Sequence, residues 1–110
     1  MKYHSDIALG LNWAGYVSIQ AAVDWDPERV LTGATGTVLG VEAPLWSETL
    51  VHLHDVEFMA FPRVVGIAEI GWARAAPVWE EFATRLGAQA PRWTVLGINF
   101  YRAPEVPWER

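Results

Sequence analysis

The sequence predicts an α/β fold that the 110 residues do not complete. Three observations carry this expectation. The run Val38 to Trp46 is short, apolar and bounded by turn residues, the composition of a parallel strand buried on both faces. Apolar residues at helical spacing follow it over 55–72 and again over 77–86. No second run offers the strand a partner, and buried backbone groups need one, so its neighbours are expected in polypeptide outside these residues.

Along the chain, Trp13 to Val23 mixes small and apolar residues without proline and is read as a short helix, stopped at Asp24-Trp25-Asp26-Pro27. Leu31 to Thr37, with Gly33 and Gly36, reads as loop. The strand is placed near 38–46, regular over Val38 to Glu42, because Pro44 removes a ladder donor and forces an irregular exit through Glu48. Asp55 is taken as the N-cap of the next helix, whose face is Phe58, Phe61, Val65, Ala68 and Trp72; Pro62 inside it predicts a kink or a second helix starting there. Pro77 then opens a helix with Trp79, Phe82, Ala83 and Leu86 on one side and Glu81 and Arg85 outside, ended by Gly87. Pro91 to Leu96 adds a further turn or two, closed by Gly97, and the tail from Ile98 is expected to be extended and pinned by Phe100, Tyr101 and Trp108.

At 52% hydrophobic and 19% charged residues the composition is that of a single globular domain. Thirteen acidic against 8 basic residues give a net charge of -5, which leaves no broad basic face for nucleic acid. No apolar run approaches the ~20 residues of a membrane-spanning helix, and Met1 to Asp6 lack the order of a signal peptide. With no cysteine there is no disulfide, thiolate or Cys-based zinc chemistry, and the compartment stays open. The unusual figure is 7 Trp in 110 residues: either the core is aromatic or some rings line a site.

Strand alternation places Glu42, Trp46 and Glu48 on one side, at the carboxyl end where parallel α/β folds put their sites. A flat indole beside a carboxylate suits a sugar, whose C–H face stacks while its hydroxyls donate. Other residues have plainer readings. Glu42 is expected to face an interior and to pair with a cation outside this sequence; Trp25, Trp72, Trp79 and Trp93 are read as packing. His52 and His54 lack a third ligand nearby and read as a solvated loop rather than a metal site, and Glu57 and Glu69 as helix-face or interhelix partners.

The run Val38-Leu39-Gly40-Val41-Glu42-Ala43-Pro44-Leu45-Trp46-Ser47-Glu48-Thr49, followed by Phe58 to Arg63 and Ala68-Glu69-Ile70-Gly71-Trp72, closely resembles the last barrel strand and following helix of family 20 glycoside hydrolases, the β-N-acetylhexosaminidases. The resemblance extends to Leu9 through Tyr16, Asp24 to Pro27, Pro91-Arg92-Trp93, Phe100-Tyr101-Arg102 and Pro107-Trp108, as in actinobacterial members. It implies the carboxyl-terminal portion of a (β/α)8 TIM barrel over residues 1–110, incomplete because such a barrel takes about 250 residues. The family's catalytic Asp-Glu pair has no counterpart in this sequence, which contains no Asp-Glu dipeptide.

The resemblance further implies hydrolysis of terminal non-reducing N-acetylhexosamine by a substrate-assisted retaining mechanism, in which the sugar's own acetamido oxygen attacks the anomeric carbon. By motif position Trp46 resembles a wall of the aromatic cage around that group, Glu48 the carboxylate that binds sugar hydroxyls, and Trp13 a further aromatic at the pocket. All three would bind substrate and none would transfer a proton. No cofactor or metal is implied, and the partners would be N-acetylglucosamine- or N-acetylgalactosamine-terminated glycans or chitin oligosaccharides. The isolated chain is expected to be inactive. The alternatives are a non-catalytic carbohydrate-binding module and an inactive structural remnant.

Overall fold

A computed structural model describes residues 2–73 and 75–110. Among the described residues six short α-helices follow one another: α1 (Ile19–Val23), α2 (Pro27–Val30), α3 (Leu53–Ala60), α4 (Arg63–Trp72), α5 (Trp79–Gly87) and α6 (Ala90–Val95). A single 3-10 turn at Asn12–Ala14 precedes them.

The helix expected from Trp13 to Val23 is therefore split. Gly15 takes φ 81, a left-handed conformation that ends the 3-10 turn, and Val17 N–H donates to the Lys2 carbonyl at 3.0 Å in an isolated parallel bridge between Lys2 and Tyr16. Ser18 then accepts from Ala21 N–H at 3.1 Å, so α1 starts only at Ile19. Asp26 caps α2 in the same way through Glu28 N–H at 2.9 Å, with Pro27 in the first turn, a helix the sequence reading left unassigned.

The expected helix over 55–72 is two helices. Phe61 stands at ψ 131 before Pro62, whose ring disfavours helical geometry at the preceding residue and which has no N–H to continue the ladder. Asp55 lies in the first turn of α3 rather than at its N-cap. It reaches back to accept Val51 N–H at 3.0 Å and His52 N–H at 3.1 Å, which starts the helix two residues earlier and holds the carboxyl below the ordinary carboxylate range. The third helix, expected over 77–86, is α5, with Glu80 and Glu81 in its first turn and Arg85 in its last, each sign favourable to the helix dipole. Arg85 turns to Glu69 of α4 (Nη1 to Oε2, 3.1 Å). After α6, Gly97 at φ 71 lets its own N–H reach the Thr94 carbonyl and the Ile98 N–H reach Trp93, the pairing of a Schellman cap.

The core lies between α1, α4, α5, α6 and the tail. Ile19 and Val23 meet α4 where Gly66 leaves room: a Cβ there would overlap the Val23 side chain. Gly87 is constrained likewise by the Pro107 carbonyl, beside which the tail closes with Glu109 N–H donating to Gly87. Trp93 gathers Phe61, Phe100 and Trp108 at centroid distances of 5.3, 5.0 and 6.2 Å, and Trp108 Nε1–H reaches the Ala103 carbonyl at 2.8 Å.

Two side-chain expectations are corrected here, those for Glu42 and Trp72. Among the described residues no strand forms, and the segment 38–46 has no regular structure, because a strand exists only through ladder bonds to a neighbour. Leu39 is 98% exposed and Glu42 lies exposed rather than in an interior; only Val38 and Val41 are half-buried, Val41 packing toward Gly71 of α4. Trp72, read as packing, is the last residue of α4 and is 91% exposed.

Candidate functional site

Two segments carry the three side chains singled out by sequence. Trp46 and Glu48 follow Pro44 in the irregular stretch before α3, and both are exposed. Trp13 sits on the 3-10 turn, 83% exposed, between Gly10 at φ 89 and Gly15 at φ 81.

The segments are joined. Gly10 N–H donates to Thr49 Oγ1 at 2.8 Å, across 39 residues of sequence and in a half-buried position. Trp13 is three residues after Gly10, and Trp46 and Glu48 are three and one before Thr49, so each Cα lies within about 11 Å of chain from the bond. Leu50 N–H closes a turn onto the Ser47 carbonyl at 3.0 Å, and Leu50 packs against the core, which fixes the carboxyl side of the segment.

The base of the Trp13 loop is held by Arg63, the first residue of α4. Its Nη2 donates to the Val17 carbonyl at 2.7 Å and the Lys2 carbonyl at 3.2 Å, so one guanidinium grips both ends of the loop. The guanidinium also lies over the Tyr3 ring, 3.7 Å from its centroid, while Tyr3 stacks on Tyr101 at 4.2 Å and donates to the Met59 carbonyl at 3.0 Å. Burial raises the Tyr3 phenol well above its ordinary pKa and lowers that of Arg63, which still holds its proton at neutral pH. Lys2 Nζ adds a bond to the Ile7 carbonyl at 2.8 Å.

His52 precedes α3, and His54, inside α3, meets Asn99 with Nδ2 3.0 Å from its ring Nδ1 and 2.9 Å from its carbonyl. Glu57 accepts Asn99 N–H of the tail at 3.0 Å, and Glu69 makes the interhelix pair with Arg85 that the sequence suggested. Among the described residues no cluster of three His, Cys, Asp or Glu side chains could hold a metal ion. Sequence reading missed Thr49, Gly10 and Arg63. A hydroxyl next to Glu48 carries no periodic signal, and a partner 39 residues away has none at all.

Residues 2–75 match the family model described as glycosyl hydrolase family 20, catalytic domain. The chain is 38% identical over 112 residues to a beta-N-acetylhexosaminidase of Cellulomonas fimi, covering 98% of this chain and 22% of that protein. A beta-hexosaminidase of Porphyromonas gingivalis is 35% identical over 97 residues, 84% of this chain and 12% of the relative. Among solved structures, the Streptomyces plicatus N-acetyl-beta-hexosaminidase in complex with Thio-NAglucal superposes with a TM-score of 0.93 at 52% identity, covering 99% of this chain and 22% of that one. The beta-N-acetylhexosaminidase of Streptomyces coelicolor A3(2) gives 0.92 at 50% identity with the same coverage. The chain thus spans about a fifth of the length of the Cellulomonas and Streptomyces proteins and 12% of the Porphyromonas one, and its course follows that of the two Streptomyces structures.

Proposed function

This chain belongs to glycosyl hydrolase family 20, and from that premise we propose that it is the carboxyl-terminal portion of a (β/α)8 catalytic barrel whose parent removes terminal N-acetylhexosamine from glycans or chitin oligosaccharides. The observation that carries the reading is the pair of exposed indoles, Trp13 and Trp46, on segments tied together beside the Glu48 carboxylate. Large apolar rings left in water are costly unless something covers them, and the C–H face of a sugar does so while its hydroxyls donate to a carboxylate.

In this reading the chain binds and does not catalyse. Retention by family 20 is substrate-assisted: the acetamido oxygen of the sugar forms the bond to the anomeric carbon as the glycosidic bond breaks, and water later opens the cyclic intermediate. Trp13 and Trp46 hold sugar and acetamido group compact, which makes that attack effectively intramolecular, and Glu48 fixes the ring by its hydroxyls. Protonation of the leaving oxygen requires an acid this sequence does not supply, since the Asp-Glu pair is absent from it. The segment 38–46 would take its ladder partners from the preceding strands of the barrel.

The test uses the 110-residue chain. It is expected to release nothing above buffer from a chromogenic N-acetylglucosaminide, while N-acetylglucosamine shifts the Trp13 and Trp46 indole N–H resonances with weak affinity, about millimolar, and Trp46→Ala abolishes the response. Turnover that disappears in Glu48→Gln would overturn the binding-only role. Indoles unmoved by the sugar would overturn the site.

A further inference from the structure

The two halves of the proposed sugar site touch through a side chain to which neither the sequence motifs nor the comparisons give a role. Trp13 rides on a turn between two glycines at φ 89 and 81, the backbone region in which a glycine is least restricted, so the turn's orientation is set by what holds it rather than by its own dihedral preferences. Its base is clamped by Arg63 on the Lys2 and Val17 carbonyls. Its far side is held by Gly10 N–H on Thr49 Oγ1 at 2.8 Å.

We propose that Thr49 is a positioning residue: its hydroxyl sets where the Trp13 indole stands relative to Trp46 and Glu48, and so makes one binding surface of two segments. The inference rests on the reading of Trp13, Trp46 and Glu48 as sugar-binding groups. The hydroxyl is suited to the task because Glu48 directly precedes it and its own carboxyl side is anchored, with Leu50 bonded back to Ser47 and packed on the core. The bond is half-buried, so loss of the acceptor leaves the Gly10 N–H to find water at the cost of releasing the turn. Serine keeps the acceptor; valine keeps the shape and removes it.

The experiment compares the full chain with Thr49→Val and Thr49→Ser, by exchange of the Gly10 amide and by titration with N-acetylglucosamine followed at the indole N–H resonances. Thr49→Val is expected to speed Gly10 exchange, to weaken the sugar response by roughly three- to tenfold, and to uncouple it: the Trp13 shift is lost while Trp46 still responds. Thr49→Ser restores both readings. The buried Trp93 indole serves as the folding control and stays in place in all three proteins. Simultaneous loss at Trp13, Trp46 and Trp93, unrestored by serine, would make Thr49 a purely structural residue and overturn the proposal, as would a Thr49→Val chain that responds like wild type. A wild-type chain that protects Gly10 yet responds at neither indole would instead bring down the sugar site and the role of Thr49 in it, with the tie itself intact.

Discussion

Residues 53–110 and residues 31–51 obey opposite rules. In the first stretch, among the described residues and with Trp72 the marked exception, local signals are met inside the chain: Asp55 caps α3, Glu69 on α4 meets Arg85 on α5, Gly97 closes α6, and Trp93, Phe100 and Trp108 pack on one another. In the second the apolar composition is as high around Val38 to Trp46, yet Leu39, Leu45 and Trp46 are exposed and no ladder forms among the described residues. The difference lies in where the partners are. A helix closes its backbone bonds within itself and needs the rest of the chain only for one face, whereas a strand owes every backbone bond to a neighbour.

Substitutions separate the two regions. Phe82, 1% exposed on α5 beside Gly66 of α4, is expected to show the largest effect: Phe82→Ala should cost about 3–5 kcal/mol in denaturant unfolding, and a loss under 1 kcal/mol would mean that the helical region is not the folded core. Acid comes next. Backbone N–H donors hold Asp55 below its ordinary range, and Arg85 does the same for Glu69. Both carboxyls are more acidic folded than unfolded, so the unfolded chain takes up protons first and stability falls as pH drops through the ordinary carboxylate range near 4. Thermal melts from about pH 3 to 7 should therefore steepen on the acid side, less so in Asp55→Asn; parallel curves would remove the cap from the account. The smallest effect is expected at Leu39: with its side chain in solvent, Leu39→Ser should stay within about 0.5 kcal/mol of wild type. A larger loss would show that 31–51 supports the fold and erase the contrast.

Much of this was legible in the sequence, unevenly. Apolar spacing and prolines marked α4, α5 and α6, because a 3.6-residue period and a missing N–H are local facts. Pro62 announced the break between α3 and α4, though only the structure showed α3 beginning at Leu53, since Asp55 acts by reaching back rather than by preceding the helix. The run at 38–46 was legible as composition and not as conformation. Trp13, Trp46 and Glu48 drew roles from resemblance to a family motif, while Thr49, Gly10 and Arg63, which hold those segments, lay in the same motifs without one.

By itself the sequence determined which residues are able to form helices, where proline and glycine stop them, and that an indole and a carboxylate stand close together near position 46. The tertiary structure alone decided that the Trp13 segment is tied to that place through Gly10, that one arginine grips both ends of its loop, and that Trp72 stays in water. The physical reason is range: dihedral preference and periodicity act within a turn or two of chain, whereas a hydrogen bond across 39 residues exists only once the core has brought its two ends together.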